Sequence, residues 1–516
     1  GSHYVKNYRT AWARETYVTA GDGEECYAPS HTFFGFRYVS IHVDADTEII
    51  AVNGEVVGSD LRETAYFSCS DPEVNRLFSN IVWGMRSNYL SIPTDCPQRD
   101  ERLGWTGDAQ VFFRTATFNR DVQNFFRKWL KDLALDQHKD GRVSDIVPNL
   151  PGLVGYGRVG WADAATIIPW QHYMAYGDKS ILEEQYASMK AWVDHVITES
   201  NDYLWNSGWH YGDWLFYSVN NDNAGNSAVT YTPLVQQCFF ANSASIMART
   251  AEILGRTDDA RYYADVAAKA REVFCENYLT PAGMLVSSTQ TAYVLALNFD
   301  MLPENMRAKA AAHLAANVEK YGHITTGFLG TPYICHVLTE FGYNDLAYKL
   351  LLRDQYPGWL YPVTMGATTI WERWNSMMPD RTIPDNGMNS FNHYSYGAIG
   401  DWLYRDAVGL HEGSAGFKTI IVKPHPGADF THMQASQLTP YGRAEAEWQK
   451  RDGEFSLRVV IPANTTAEIY VPSASADSVT LDGKAINASP DARVVGHADG
   501  YTRIAIGSGN YLFETK

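Results

Sequence analysis

The residues best suited to chemistry are carboxylates set among tryptophans. Residues 94–110 read TDCPQRDERLGWTGDAQ, which places Asp95, Asp100, Glu101 and Asp108 beside Arg99, Arg102 and Trp105. Four carboxylates in one short loop repel one another unless each has a partner, and two arginines can neutralise only two of them. A solvated charged turn is the bland explanation. Against it stand the position of the cluster after a helix that ends near a proline, the costly exposure of Trp105, and the direct run of Gly107-Asp108-Ala109 into an apolar helix. The stretch GATTIWERWNS, residues 366–376, sets Glu372 between Trp371 and Trp374, with Arg373 alongside. Indoles strip water from a carboxylate, which raises its pKa and suits acid–base work; the competing explanation is a Glu–Arg pair on a tryptophan-rich core edge. The same theme recurs at Trp161 and Asp163 in GWADA, at Trp209, Asp213 and Trp214 in GWHYGDW, at Asp145 in SDIVPN and at His393 in FNHYSYG.

Tryptophan faces stack on the C–H faces of sugar rings, and Asp and His bind vicinal hydroxyls. The chemistry that fits is glycoside hydrolysis, in which one carboxylic acid protonates the leaving oxygen and a second carboxylate activates water or attacks the sugar. Glu101 and Glu372 are the candidate pair. Metal-ligand spacings, a nucleophile elbow, a P-loop and a dinucleotide fingerprint are all missing from the sequence. Two alternatives remain at this level: a glycosidase for another deoxy or neutral sugar, and a non-catalytic sugar-binding protein.

These residues need a rigid frame. The 516 residues exceed one ordinary domain. Lys and Arg total 42 against 59 Asp and Glu, a net charge of −17 that repels nucleic acid. No apolar run is long enough to span a membrane. The six cysteines are scattered and suggest no disulfide framework, so compartment and oligomeric state stay open. The opening Gly1-Ser2-His3 looks like the remnant of an added tag, so a removed leader remains possible. Residues 1–67 alternate like strands, at 35–44 and 47–57, and suggest part of a β-sandwich or a partner to one. Between 68 and 412 the period becomes helical. Twelve segments are expected, at 72–91, 107–118, 121–137, 162–176, 179–199, 233–255, 258–278, 288–299, 303–320, 329–341, 344–353 and 392–408. Short and long connections tend to alternate, as six inner–outer hairpins closing an (α/α)6 toroid would require. The long connections would then gather at one end with the carboxylates and tryptophans. Residues 413–516 read as an antiparallel β-sandwich, so the expected class is mainly α and multidomain.

The blocks SIPTDCPQRDERLGWTGDAQ and GATTIWERW closely resemble bacterial α-L-rhamnosidases of glycoside hydrolase family 78, and GFRYV, SDIVPN, GWADA, YGDW and NHYSYG fit the same pattern. The resemblance runs from about residue 24 into the C-terminal region. It implies an (α/α)6 catalytic domain, an inverting mechanism, no cofactor or metal, and a small rhamnosylated glycoside as substrate. Carried over by position, Glu101 matches the general acid and Glu372 the general base. Asp95 and Asp108 match acidic residues that hold rhamnose hydroxyls, with Arg99 beside them. Trp105, Trp161 and Trp214 match pocket aromatics, and His393 a sugar-binding histidine. Asp163 and Asp213 are further substrate-binding candidates. The family usually carries several β-domains before the helical one; here fewer than 70 residues precede it, which leaves reach toward polymeric substrates in doubt.

Overall fold

The computed structural model describes residues 6–21, 23–217, 230–384, 388–451 and 453–515. Its centre is helical. The helices are α1 (Pro72–Asn88), α2 (Thr106–Asn119), α3 (Gln123–Asp136), α4 (Ala164–Tyr176), α5 (Ser180–Glu199), α6 (Thr232–Ile253), α7 (Thr257–Tyr278), α8 (Gln290–Asn298), α9 (Glu304–Tyr321), α10 (Ile334–Glu340), α11 (Asn344–Leu351), α12 (Leu360–Thr364) and α13 (Ile399–Trp402).

Two kinds of helix alternate along the chain. Helix α3 buries Phe126, Trp129, Leu130 and Leu133 at i, i+3, i+4 and i+7, and α7 buries Tyr263, Val266, Ala267, Ala270 and Phe274; both turn a charged face outward. By contrast, every residue of α2 is buried, as are eight of the nine in α8. These apolar helices touch in sequence, α2 on α4, α4 on α6, α6 on α8, α8 on α10, α10 on α13 and α13 back on α2. Connections into the inner helices are long and those leaving them short. The hairpins therefore gather their long loops at one end, where loops on a packed frame hold side chains in fixed positions.

Asp71 caps α1, accepting from the Glu73 and Val74 amides at 2.8 and 2.9 Å, with Pro72 in the first turn. The expected single helix at 392–408 is three pieces: a 3₁₀ turn at Ser395–Ala398, α13, and a π-helical stretch at Leu403–Val408. Apolar periodicity does not distinguish these, because all three bury side chains along the same stretch.

Past residue 409 the chain forms two sheets. The seven-stranded one runs Ala65–Cys69, His432–Thr439, Gly442–Arg451, Glu454–Ile461, Gly509–Thr515, Val479–Leu481 and Lys484–Ala485. Its first strand comes from the N-terminal side of the helices: Phe67 pairs with Ala435 and Cys69 with Met433. The five-stranded sheet runs Ala492–Ala498, Tyr501–Ile506, Thr466–Pro472, Thr419–Val422 and Leu410–Glu412, with Thr419–Val422 parallel to the strand beginning at Thr466.

The strands expected at 35–44 and 47–57 do not form. Residues 35–57 hold no strand, and Tyr38, Ile50 and Val52 are 69%, 70% and 60% exposed. Alternation records which side chains share a face, but a strand also needs a neighbour to complete its hydrogen bonds. Among the described residues no strand pairs with this segment. Nor is any described helix long and apolar enough to cross a membrane.

Candidate active site

The 94–105 loop is fixed from both sides. Gly104 and Trp105 pair with the 145–147 stretch: the Thr106 amide donates to Asp145 O and the Val147 amide to Gly104 O, both at 2.9 Å. A side chain at Gly104 would meet Val147 O at 2.2 Å, and one at Gly107 would meet the Trp161 indole at 2.5 Å, so both positions need glycine for close approach. Asp108 lies in the first turn of α2, where the helix dipole favours a negative charge. On the opposite wall, the Glu372 amide donates to Ser390 O at 2.9 Å and the His393 amide to Ile370 O at 2.8 Å. Trp374 stacks on Tyr396 at 4.1 Å and donates to Thr326 O at 2.9 Å.

The two walls meet on one guanidinium. Arg99, 1% exposed, donates through Nη1 to Glu372 Oε2 at 3.1 Å. Its Nη2 lies 3.2 Å from Asp95 Oδ2, 2.9 Å from Glu101 Oε2 and 3.4 Å from Glu372 Oε1. Glu101 and Glu372 therefore converge: an oxygen of each lies on the same nitrogen. Glu101 Oε2 also accepts from Arg9 at 2.8 Å, and its Oε1 accepts from the Trp105 indole at 2.9 Å. Asp95 Oδ1 accepts from the Leu103 amide at 2.9 Å. His393 Nε2 lies 3.0 Å from Asp108 Oδ2. Arg102, counted from sequence as a neutralising cation, instead lies 4.3 Å over the Phe33 ring.

These contacts separate the charge states. Burial and the neighbouring Glu101 push the Asp95 carboxyl up to about 7, against the opposing pull of Arg99. Burial also raises Glu372, but Arg99 and then His393 outweigh it and hold this carboxyl below the usual glutamate range. For His393, burial disfavours the charged ring, yet Asp108, Glu372 and Asp95 together favour the imidazolium.

A cage of rings flanks the carboxylates. Tyr211 sits at its centre, with ring centroids 4.6 Å from Trp161, 5.5 Å from Trp214 and 6.1 Å from Trp105, and its hydroxyl donates to Asp145 Oδ2 at 2.9 Å. Among the described residues, several buried polar atoms here lack hydrogen-bond partners: Arg99 Nε, His393 Nδ1, Asp145 Oδ1 and Trp161 Nε1. Unpaired polar atoms are costly in a protein interior and suit a hydroxyl-rich ligand.

Two expected sugar ligands are elsewhere engaged. Asp163 is 0% exposed; its Oδ2 accepts from the Gly160 amide at 2.8 Å, and its Oδ1 from Trp192 at 3.0 Å and Ser243 at 2.7 Å. It ties α4, α5 and α6 together. Asp213, 1% exposed, accepts from the amides of Gly327, Leu329 and Gly330 at 2.8, 2.9 and 3.1 Å and from the Thr291 hydroxyl. Both carboxylates are thus engaged by the scaffold; a backbone amide satisfies a buried carboxylate as well as a sugar hydroxyl does. Conversely, the sequence reading did not single out Tyr211 or Arg9. Tyr211 could have been suspected from its place inside GWHYGDW, whereas nothing local marks Arg9, 92 positions from its partner Glu101.

The candidate site thus combines paired carboxylates with stacked rings, carried on helical hairpins. Residues 62–407 match the family described as the bacterial alpha-L-rhamnosidase 6 hairpin glycosidase domain, residues 409–485 the C-terminal domain and residues 1–58 the concanavalin-like domain of the same proteins. The chain belongs to the bacterial α-L-rhamnosidase family. It is 40% identical over 525 residues to an α-L-rhamnosidase of Formosa agariphila, spanning 100% of this chain and 56% of that protein. It is 39% identical to one of Streptomyces avermitilis, spanning 99% of this chain and 48% of that protein. The crystal structure of the Streptomyces avermitilis enzyme complexed with L-rhamnose superposes over 100% of this chain and 48% of that one, at a TM-score of 0.92 and 38% identity. An Aspergillus terreus α-L-rhamnosidase structure gives a TM-score of 0.83 at 35% identity, over 92% of this chain and 52% of that one. The chain thus spans about half the length of these relatives.

Proposed function

We propose that this chain is an inverting exo-glycosidase that hydrolyses terminal, non-reducing α-L-rhamnose from small rhamnosides. The observation that carries the proposal is the convergence of Glu101 and Glu372 on Arg99, from positions 271 apart in the chain. In this reading the six inner helices close an (α/α)6 toroid, residues 68–412 are the catalytic domain, 1–67 an accompanying N-terminal region, and 413–516 a C-terminal β-sandwich. Family membership and the rhamnose complex of the Streptomyces avermitilis relative support the choice of sugar.

Glu372, held ionised beside Arg99, is the general base that takes a proton from water. Glu101 is the general acid, and Trp105 orients its carboxyl. Asp95, Arg99, Asp108 and His393 bind hydroxyls, and Trp105, Trp161 and Trp214 receive the ring and its methyl. Inversion needs room for water between carboxyls about 6.5–9.5 Å apart, whereas retention uses about 5–5.5 Å. Arg99 bridges the two carboxylates in the structure.

Hydrolysis of p-nitrophenyl α-L-rhamnoside followed by proton NMR tests the reading. The first product formed is expected to be β-L-rhamnose. Initial release of the α-anomer overturns inversion, and no turnover of any rhamnoside overturns the substrate.

A further inference from the structure

One aromatic belonging to the loop end is left outside the arrangement described. Trp209 is 55% exposed, an unusual state for an indole. It is nonetheless held in a fixed pose. The Arg158 guanidinium lies 4.8 Å over its ring and donates through Nη1 to the Trp209 carbonyl. Arg158 is steadied in turn by Asp145 Oδ2, 4.0 Å from its Nε. Trp209 packs edge-to-face with Tyr211, with centroids 5.0 Å apart and planes at 75°. Tyr211 packs on Trp105, which hydrogen-bonds Glu101. A continuous run of rings thus leads from the acid to an exposed indole at the rim.

The direction of that run has a chemical meaning. A general acid protonates the glycosidic oxygen, so the leaving group departs on the acid's side of the cleavage point. We infer that Trp209, oriented by Arg158, is the stacking wall for the leaving group and makes the enzyme prefer leaving groups that carry a ring. A flat ring, either an aryl group or a second sugar presenting its C–H face, buries exposed indole surface, whereas a methyl group covers almost none. The inference rests on Glu101 being the acid.

The test compares the Trp209→Ala variant with wild type on methyl α-L-rhamnoside, p-nitrophenyl α-L-rhamnoside and a rhamnosyl-glucose disaccharide, reading kcat/KM for each. Taking the variant-to-wild-type ratio within each substrate removes differences in leaving-group reactivity. A loss of about 3- to 10-fold is expected on one or both ring-bearing substrates, with less than 2-fold on the methyl glycoside. The two ring-bearing substrates then tell aryl stacking from sugar stacking. Trp209→Phe should restore part of the loss. Equal losses on all three substrates would make Trp209 a prop for Tyr211 and overturn the inference, as would unchanged ratios. Failure of wild type on every rhamnoside strikes instead at the proposed function.

Discussion

Two buried charge clusters in this molecule use the same residue types to opposite ends. One is the candidate site, where Asp95, Glu101, Glu372 and Asp108 face Arg99 and His393, with Arg9 at the rim. The other lies where the inner helices meet the C-terminal sheets. There Arg114 of α2 grips Glu412 at 2.7 and 2.8 Å, His336 of α10 sits 2.5 Å from Asp406 and 3.2 Å from Asp401, and Arg405 approaches Asp401 at 3.7 Å. Among these named groups the second cluster is balanced, three cations for three carboxylates, and all three carboxylates are held below their ordinary values despite burial. The first carries more carboxylate than cation, and Asp95 is pushed the other way. Balance stabilises a fold; an excess of acid around one guanidinium is poised to trade protons or bind hydroxyls.

The largest effects should come from splitting the clusters by function. Glu101→Gln and Glu372→Gln are each expected to lower kcat on rhamnosides with poor leaving groups by about 10²–10⁴-fold, with thermal midpoints close to wild type. Arg114→Met should do the reverse. It leaves Glu412 buried without its partner, which costs about 3–5 kcal/mol, while the fraction that remains folded keeps its kcat. Denaturant titration and initial rates on the same samples check both. If Arg114→Met abolished turnover without loss of stability, the two regions would not be separable.

Asp213→Asn probes an expected sugar ligand whose carboxylate is engaged by backbone amides. The amide offers one acceptor oxygen where the carboxylate offered two to four donors, so a stability loss of about 1–3 kcal/mol is expected, with KM for rhamnosides unchanged. The ambiguity has a general cause. An aspartate beside a tryptophan looks the same in sequence whether its partner is a ligand or a backbone amide more than a hundred positions away. Glu101, Glu372, Asp95 and Asp108 were legible because they sit in long, specific blocks. The hairpins were legible because α3 and α7 each carry one apolar stripe and one charged face. Arg9 was not, since only tertiary approach gives it a role, and Tyr211 had only its place inside GWHYGDW to mark it. Residues 35–57 show the opposite failure: the local pattern is clear, but a strand exists only with a neighbour.

A pH titration of stability sharpens the contrast further. Burial lowers the affinity of His336 for a proton, but Asp406 and Asp401 more than restore it, raising the imidazole to about 9 from an ordinary 6.5. The folded state therefore binds this proton more tightly than the unfolded chain does. The resulting stabilisation is complete below pH 6.5 and is lost as the pH rises toward 9. In wild type the unfolding free energy should fall across that window, and His336→Gln should flatten the fall. A slope unchanged by the substitution would remove His336 from the balance of the interface.

The smallest effect should come from Asp95, in a different window. Its folded pKa of about 7 lies above the ordinary 3.8, so the folded state again binds the extra proton, and this group's contribution to stability declines between pH 4 and 7. Asn in its place keeps an oxygen for the Leu103 amide and removes the buried charge beside Glu101. The thermal midpoint of Asp95→Asn relative to wild type is therefore expected to climb with pH, reaching a gain of about 1–2 °C by pH 7 and levelling off above it, while activity drops. That pairing of stability gained with activity lost is what an excess of acid kept for catalysis requires. A variant less stable than wild type at pH 7 would mean that Asp95 serves Arg99 as Glu412 serves Arg114, and the distinction between the two clusters would fall.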